Sequence, residues 1–123
     1  MTTAVKSQQV KTFGECSKQL LAINDSLDLL RGKWKIHVIG ALTFGKKRFK
    51  EVQREIPGIT AKMLSKELKD LEINELVLRT VHNTTPVTVE YELTEYGQTL
   101  EKVIEELRAW GVKHRKRIIK KSA

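Results

Sequence analysis

Cysteine is nearly absent from this chain: Cys16 is the single one in 123 residues. A lone thiol excludes an intramolecular disulfide framework. No apolar run approaches the ~18 residues of a membrane span. The opening residues Met1-Thr2-Thr3-Ala4-Val5-Lys6 lack the apolar stretch of a signal peptide. A cytoplasmic protein with no membrane partner is expected. Histidine is sparse too: His37, His82 and His114 fall on different predicted elements with no short ligand spacing, so no metal site is expected. There is no Gly-rich phosphate loop, no nucleophile beside a plausible base, and no carboxylate pair in a pocket. Glu90 and Glu92 lie on the solvent face of a predicted strand. These absences argue against an enzyme and against a bound cofactor. Aromatics make up 6%, and most of the seven fall at apolar-periodic positions, which disfavours base stacking on single-stranded RNA.

What remains is a basic chain of one domain's length. Hydrophobic residues reach 40%, enough for a core without disulfides or metal. The formal net charge is +8, unevenly placed. Residues 46–69 carry eight cations against three acids, residues 70–110 three against nine, and residues 111–123 six against none. Two basic stretches flank an acidic one, so the basic faces are candidates for an anionic partner.

Helical periodicity begins at Leu20 and continues through Ile23, Leu27, Leu30 and Trp34. Asn24 or Asp25 is a candidate cap, and Gly32 suits the left-handed residue after a last turn. A second helix is predicted from about Lys33 to Phe44 with Trp34, Val38, Ile39 and Leu42 inward. Gly45-Lys46-Lys47 reads as a turn. A third helix runs from about Arg48 to Ile56 and stops at Pro57-Gly58. A fourth starts at Thr60, buries Leu64, Leu68 and Leu71, with Met63 on the same side, and ends near Asn74. The period then changes to two: Val87, Val89, Tyr91 and Leu93 alternate with polar residues, and Val77–His82 would pair with them. Pro86 predicts an edge position there. A last helix follows Thr94 toward Ile119, with Leu100, Val103, Leu107, Trp110 and His114 at 3-4-3-4 spacing and Ile104, Gly111 and Ile118 flanking.

Two short helices joined by a Pro-Gly turn and followed by a hairpin form the plan of a winged helix-turn-helix. With the leucines buried, Ala61, Lys62, Ser65, Lys66 and Lys69 point outward. Small residues let such a helix approach base edges, and lysines reach phosphates or guanine. Thr60 and the free N–H groups at the helix start suit a phosphate. Arg48, in the Lys46-Lys47-Arg48-Lys50 cluster, adds charge beside it. The hairpin contributes Arg79, His82, Thr84, Thr85 and Thr88 as candidates for the minor groove or the backbone.

Six segments in order carry a resemblance to a known family: Arg31-Gly32-Lys33-Trp34, Lys47-Arg48-Phe49-Lys50-Glu51-Val52, Ile56-Pro57-Gly58-Ile59-Thr60, residues 63–72, residues 89–97, and Ala109-Trp110-Gly111. Over residues 16–111 the chain resembles the HxlR-type regulators, winged helix-turn-helix proteins related to MarR. The resemblance implies a mainly α fold with a small β-hairpin and with dimerisation helices at both ends. It implies a homodimeric transcription factor whose two recognition helices, about 60–74, and wings, about 77–93, read an inverted repeat in double-stranded DNA. The expected dimer residues are Leu20, Ile23 and Leu27 in the first helix and Leu100, Val103, Leu107, Trp110 and His114 in the last. Many family members carry an N-terminal cysteine, in some an oxidant sensor; Cys16 is either such a redox sensor or an inert thiol. Either a small-molecule or a redox effector is compatible with this reading.

The domain reading is a polar arm over 1–15, a winged helix-turn-helix over 16–112, and a basic helical tail over 113–123, which either touches DNA backbone or is a solvated helix end. The competing reading is a nonspecific architectural DNA- or RNA-binding protein.

Overall fold

The computed structural model describes residues 13–122, with side chains described from 16 to 121. The residues before 13, most of the expected polar arm, lie outside the described residues. The chain divides between Gly32 and Lys33 into two units.

The first unit holds α1, Phe13–Leu29. It begins earlier than the apolar period suggests and runs unbroken through Asn24-Asp25-Ser26, so neither expected cap is one. The Ser26 hydroxyl donates to the Ala22 carbonyl at 3.1 Å, one turn back, and so does not compete with the helical ladder. Gly32, at φ +99°, takes the left-handed conformation after the helix, as expected.

The second unit contains the rest. Helix α2 is Lys35–Leu42, shorter than expected at both ends. Trp34 precedes it as N-cap and is buried, so it belongs to this core and not to the stripe of α1. Phe44, beyond the helix end, is 88% exposed. Next comes strand β1, Lys47–Arg48, where a turn and a helix start were expected. Helix α3 is Phe49–Glu55, opened by the Arg48 backbone N–H donating to Glu51 Oε1 at 2.7 Å. Gly58, at φ +90°, makes the turn to α4 and sits where a Cβ would lie 3.7 Å from the Trp34 ring.

Helix α4, Ala61–Ile73, is capped by the Thr60 hydroxyl, which accepts from the Met63 N–H at 3.1 Å. Leu64, Leu68 and Leu71 are fully buried, as their spacing predicts. Met63 is 39% exposed and lies off that side, because position 63 precedes the buried stripe by 100° of helix rotation. Strands β2, Val77–His82, and β3, Thr88–Leu93, pair antiparallel from Val77↔Leu93 to His82↔Thr88.

The sheet has three strands in the order β1-β3-β2. Lys47 lies opposite Tyr91 and Arg48 opposite Glu90. The strand after Pro86 is therefore central, not an edge; Pro86 falls outside the ladder, so its missing N–H costs no sheet bond. Burial along β3 is complete only at Leu93 and fades toward Val87, which is 59% exposed. The last helix is interrupted. A short α5, Glu95–Gln98, precedes α6, Glu101–Ser122. The Thr94 hydroxyl caps α5 by accepting from Gly97 N–H at 2.9 Å and donates to the Glu75 carbonyl at 2.7 Å. Gly97 is required: a Cβ there would lie 2.1 Å from the Leu76 carbonyl oxygen. The core of the unit is Trp34, Val38, Ile39, Leu42, Val52, Ile56, Leu64, Leu68, Leu71, Leu76, Val77 and Leu93.

Candidate nucleic-acid interface

The buried leucine stripe of α4 sets which side faces out. Ala61, Lys62, Ser65, Lys66 and Lys69 are all exposed. Thr60 is exposed at the helix start, but its hydroxyl already caps the helix. The face is thus a short cationic ridge with an alanine and a serine between the lysines. Its height lets a backbone-close approach occur while the longer side chains reach outward.

The rotation of this ridge is fixed by a cluster that sequence reasoning missed. Lys35, at the start of α2, donates from Nζ to Glu67 Oε1 at 2.9 Å and to Asp70 Oδ2 at 3.1 Å. The Lys35 and Glu67 side chains are each only 12% exposed. Burial alone pulls the Lys35 ammonium downward, but the hydrogen bonds and charges of Glu67 and Asp70 outweigh it and hold the group above its ordinary 10.5. Two carboxylates of α4 are thereby drawn toward α2 and neutralised, leaving its lysines to set the charge of the outer face. The available signal was Glu67 and Asp70 at i, i+3 beside the leucine stripe, but nothing in the sequence names their partner.

Between α4 and the sheet lies an open groove of about 350 Å³, lined by Ser65, Leu68, Lys69, Glu72, Arg79 and Tyr91. Arg79 and Tyr91 are cross-strand partners, so β2 and β3 bring the Arg79 side chain to the flank of α4. Among the hairpin candidates, Arg79 is thus brought together with Ser65 and Lys69.

The remaining hairpin candidates are engaged within the hairpin. His82 Nε2 is 2.8 Å from Glu90 Oε1. Glu90 therefore does not stand free on a solvent face, as its alternation suggests. The Thr84 hydroxyl donates to the Pro86 carbonyl at 2.7 Å. Thr85 is exposed, and Thr88 is half-buried at the start of β3. Arg48 is exposed at the sheet edge formed by β1, with Lys47 beside it paired to Glu55 at 3.6 Å.

The aromatic positions differ from the periodicity reading. Phe44, Tyr96 and Trp110 are exposed, because Phe44 lies beyond α2 and the stripe of α6 is left uncovered within the chain. None of the three lies on α4 or the hairpin. Cys16 is exposed on α1. Among the described residues no helix is long and apolar enough to cross a membrane.

A capped second helix after a tight turn, followed by a hairpin wing, defines a winged helix-turn-helix protein. The chain belongs to the HxlR-like helix-turn-helix family, whose family model matches residues 29–119. It is 42% identical over 104 residues to YtcD of Bacillus subtilis, an uncharacterized HTH-type transcriptional regulator, covering 85% of this chain and 82% of YtcD. It is 46% identical over 89 residues to the HTH-type transcriptional regulator YodB of the same bacterium, covering 72% and 80%. Among solved structures it is similar to the redox regulator HypR in its reduced form, with a TM-score of 0.76, 38% identity, and coverage of 80% of this chain and 98% of that one.

Proposed function

We propose that the chain is a sequence-specific DNA-binding transcriptional regulator that acts as a homodimer. The observation that carries this reading is the exposed ridge Ala61, Lys62, Ser65, Lys66 and Lys69, rotated outward by three buried leucines and by Lys35. In this reading α4 enters a major groove. Ser65 and Lys66 face base edges, Lys62 and Lys69 meet phosphates on either side, and Arg79 takes the phosphate that runs past the α4–wing groove. Arg48, Thr60, Thr85 and Thr88 lie on the backbone flanks. His82 and Thr84 shape the wing tip rather than reach DNA, since both already hold partners within the hairpin.

The dimer reading rests on apolar residues that a monomer leaves in water. Leu20, Ile23 and Leu27 of α1 and Val103, Leu107 and Trp110 of α6 are each between 45% and 64% exposed. That is too much contiguous apolar spacing for a solvated helix. Two copies related by a two-fold would present two α4 ridges to an inverted repeat, about one DNA turn apart.

HypR is described as a redox regulator. Cys16, exposed on α1, is the residue through which an oxidant would act here, by joining two subunits or a small thiol.

The test is a pair of α4-face variants on a selected operator and on random duplex. Lys66→Ala is expected to weaken operator binding about tenfold, the discrimination carried by one base contact, while random-duplex binding changes far less. Arg79→Ala is expected to weaken both alike and to lower the salt slope by about one. Equal losses for Lys66→Ala on both duplexes would remove it from base readout.

A further inference from the structure

The charge of α6 is segregated along its length. Its first two turns carry Glu101, Glu105 and Glu106, and its last three carry Lys113, Arg115, Lys116, Arg117, Lys120 and Lys121. Between the halves sit Trp110 and Gly111. The apolar seam is symmetric about that point. Leu107 and His114 lie equally far to either side, and so do Val103 and Ile118. The other flank repeats Ile104, Gly111 and Ile118 every seven residues. Trp110 and His114 stack at 4.9 Å with planes 17° apart, forming one flat plate across the middle of the seam. Val103, Leu107 and Trp110 are 45%, 50% and 64% exposed. At Gly111 a Cβ would meet nothing within 4 Å in the chain itself, so the absence of a side chain there answers no contact within one copy.

We propose that α6 pairs antiparallel with α6 of a second copy, about a two-fold at Trp110–Gly111. This inference rests on the homodimer reading and adds its orientation and register. A parallel pair would place like charges beside like along the whole helix. The antiparallel pair sets the acidic half of each helix against the basic half of the other, which is what a self-complementary surface under a two-fold requires. Seven-residue spacing puts Glu106 and Lys113 on the same flank of the seam, so Glu106 of one copy meets Lys113 of the second, twice per dimer. Leu107 of one copy packs on His114 of the other. Gly111 faces Gly111 at the axis, where two missing side chains let the backbones approach and give the two Trp110 rings room to lie over the crossing. The Glu105–Arg108 pair is one turn apart on the same helix and stands outside this seam.

The experiment is disulfide mapping in the full chain, in a Cys16→Ser background that removes the native thiol. Gly111→Cys is expected to cross-link to itself, because only residues at the axis come within the ~6 Å Cα separation a disulfide needs. Leu107→Cys and His114→Cys are each expected to stay uncross-linked alone and to cross-link when combined. Cross-linking of Leu107→Cys alone would mean a parallel pair and overturn the proposal. Sedimentation of the same samples separates the two readings. A dimer in which no α6 cysteine cross-links overturns the register and leaves the dimer standing, whereas a monomer overturns both. Charge reversal supplies a readout that loss of packing would not move. Glu106→Lys and Lys113→Glu are each expected to raise the dimer Kd about tenfold, since each acts twice across the axis, and the double swap to restore it. Failure of the double swap to restore dimerisation would overturn the Glu106–Lys113 contact.

Discussion

Lys35 is one of 23 cationic residues in the chain, and its neighbours in sequence do not distinguish it. Its importance comes from two carboxylates 32 and 35 positions away. Lys35→Met is expected to destabilise the fold by about 2 kcal/mol in urea unfolding, between the values for exposed and fully buried pairs, because Glu67 loses its partner while mostly buried. The pH dependence has a definite sign. The folded ammonium is held above 10.5, so its contribution is fully present below 10.5 and is lost only as pH rises through the higher folded value. The wild-type advantage over Lys35→Met should therefore hold through neutral pH and shrink in strong alkali. Cys16 offers a second test at this scale. If an oxidant releases DNA from the wild type, Cys16→Ser is expected to remain bound in the same gel-shift titration. A retained oxidant response in that variant would place sensing on another residue.

Elements with a full period were legible, and those without one were not. Leu64, Leu68 and Leu71 gave both the span of α4 and its buried side, and Thr60 gave its start. Thr60→Ala is expected to cost about 1 kcal/mol by removing the bond from Met63 N–H, and Leu68→Ala about 2–5 kcal/mol by opening a cavity, both read as midpoint shifts in urea. Strand β1 is two residues long, too short to show a period of two, and only its pairing with Tyr91 and Glu90 reveals it. The interruption between α5 and α6 was hidden for a related reason. Leu100 continues the stripe of α6 in spacing, while the close packing of Gly97 on Leu76 ends α5 before α6 begins. Asn24-Asp25-Ser26 reads as a cap by composition, yet a hydroxyl bonded back to Ala22 lets α1 pass through.

For the whole molecule, charge is the property that sequence and structure share most directly. The basic block of residues 46–69 becomes the α4 ridge with β1 and α3 beside it, the acidic block includes the residues that tie α4 to α2, and the final basic block becomes the end of α6. The candidate ridge was legible because burial of one face dictates exposure of the other. The wing was less so: alternation located its strands, but the His82–Glu90 and Thr84–Pro86 contacts that withdraw polar groups from its tip depend on cross-strand register. The central claim is that this surface reads sequence and does not merely attract phosphate. The measurement that tests it is selection from a pool of genomic fragments against random duplex, at low and at physiological salt. Nonspecific binding is mostly counterion release and fades steeply as salt rises. The account predicts enrichment of a few fragments sharing an inverted repeat, persisting at physiological salt. Uniform binding across the pool that vanishes with salt would contradict it and point to an architectural protein.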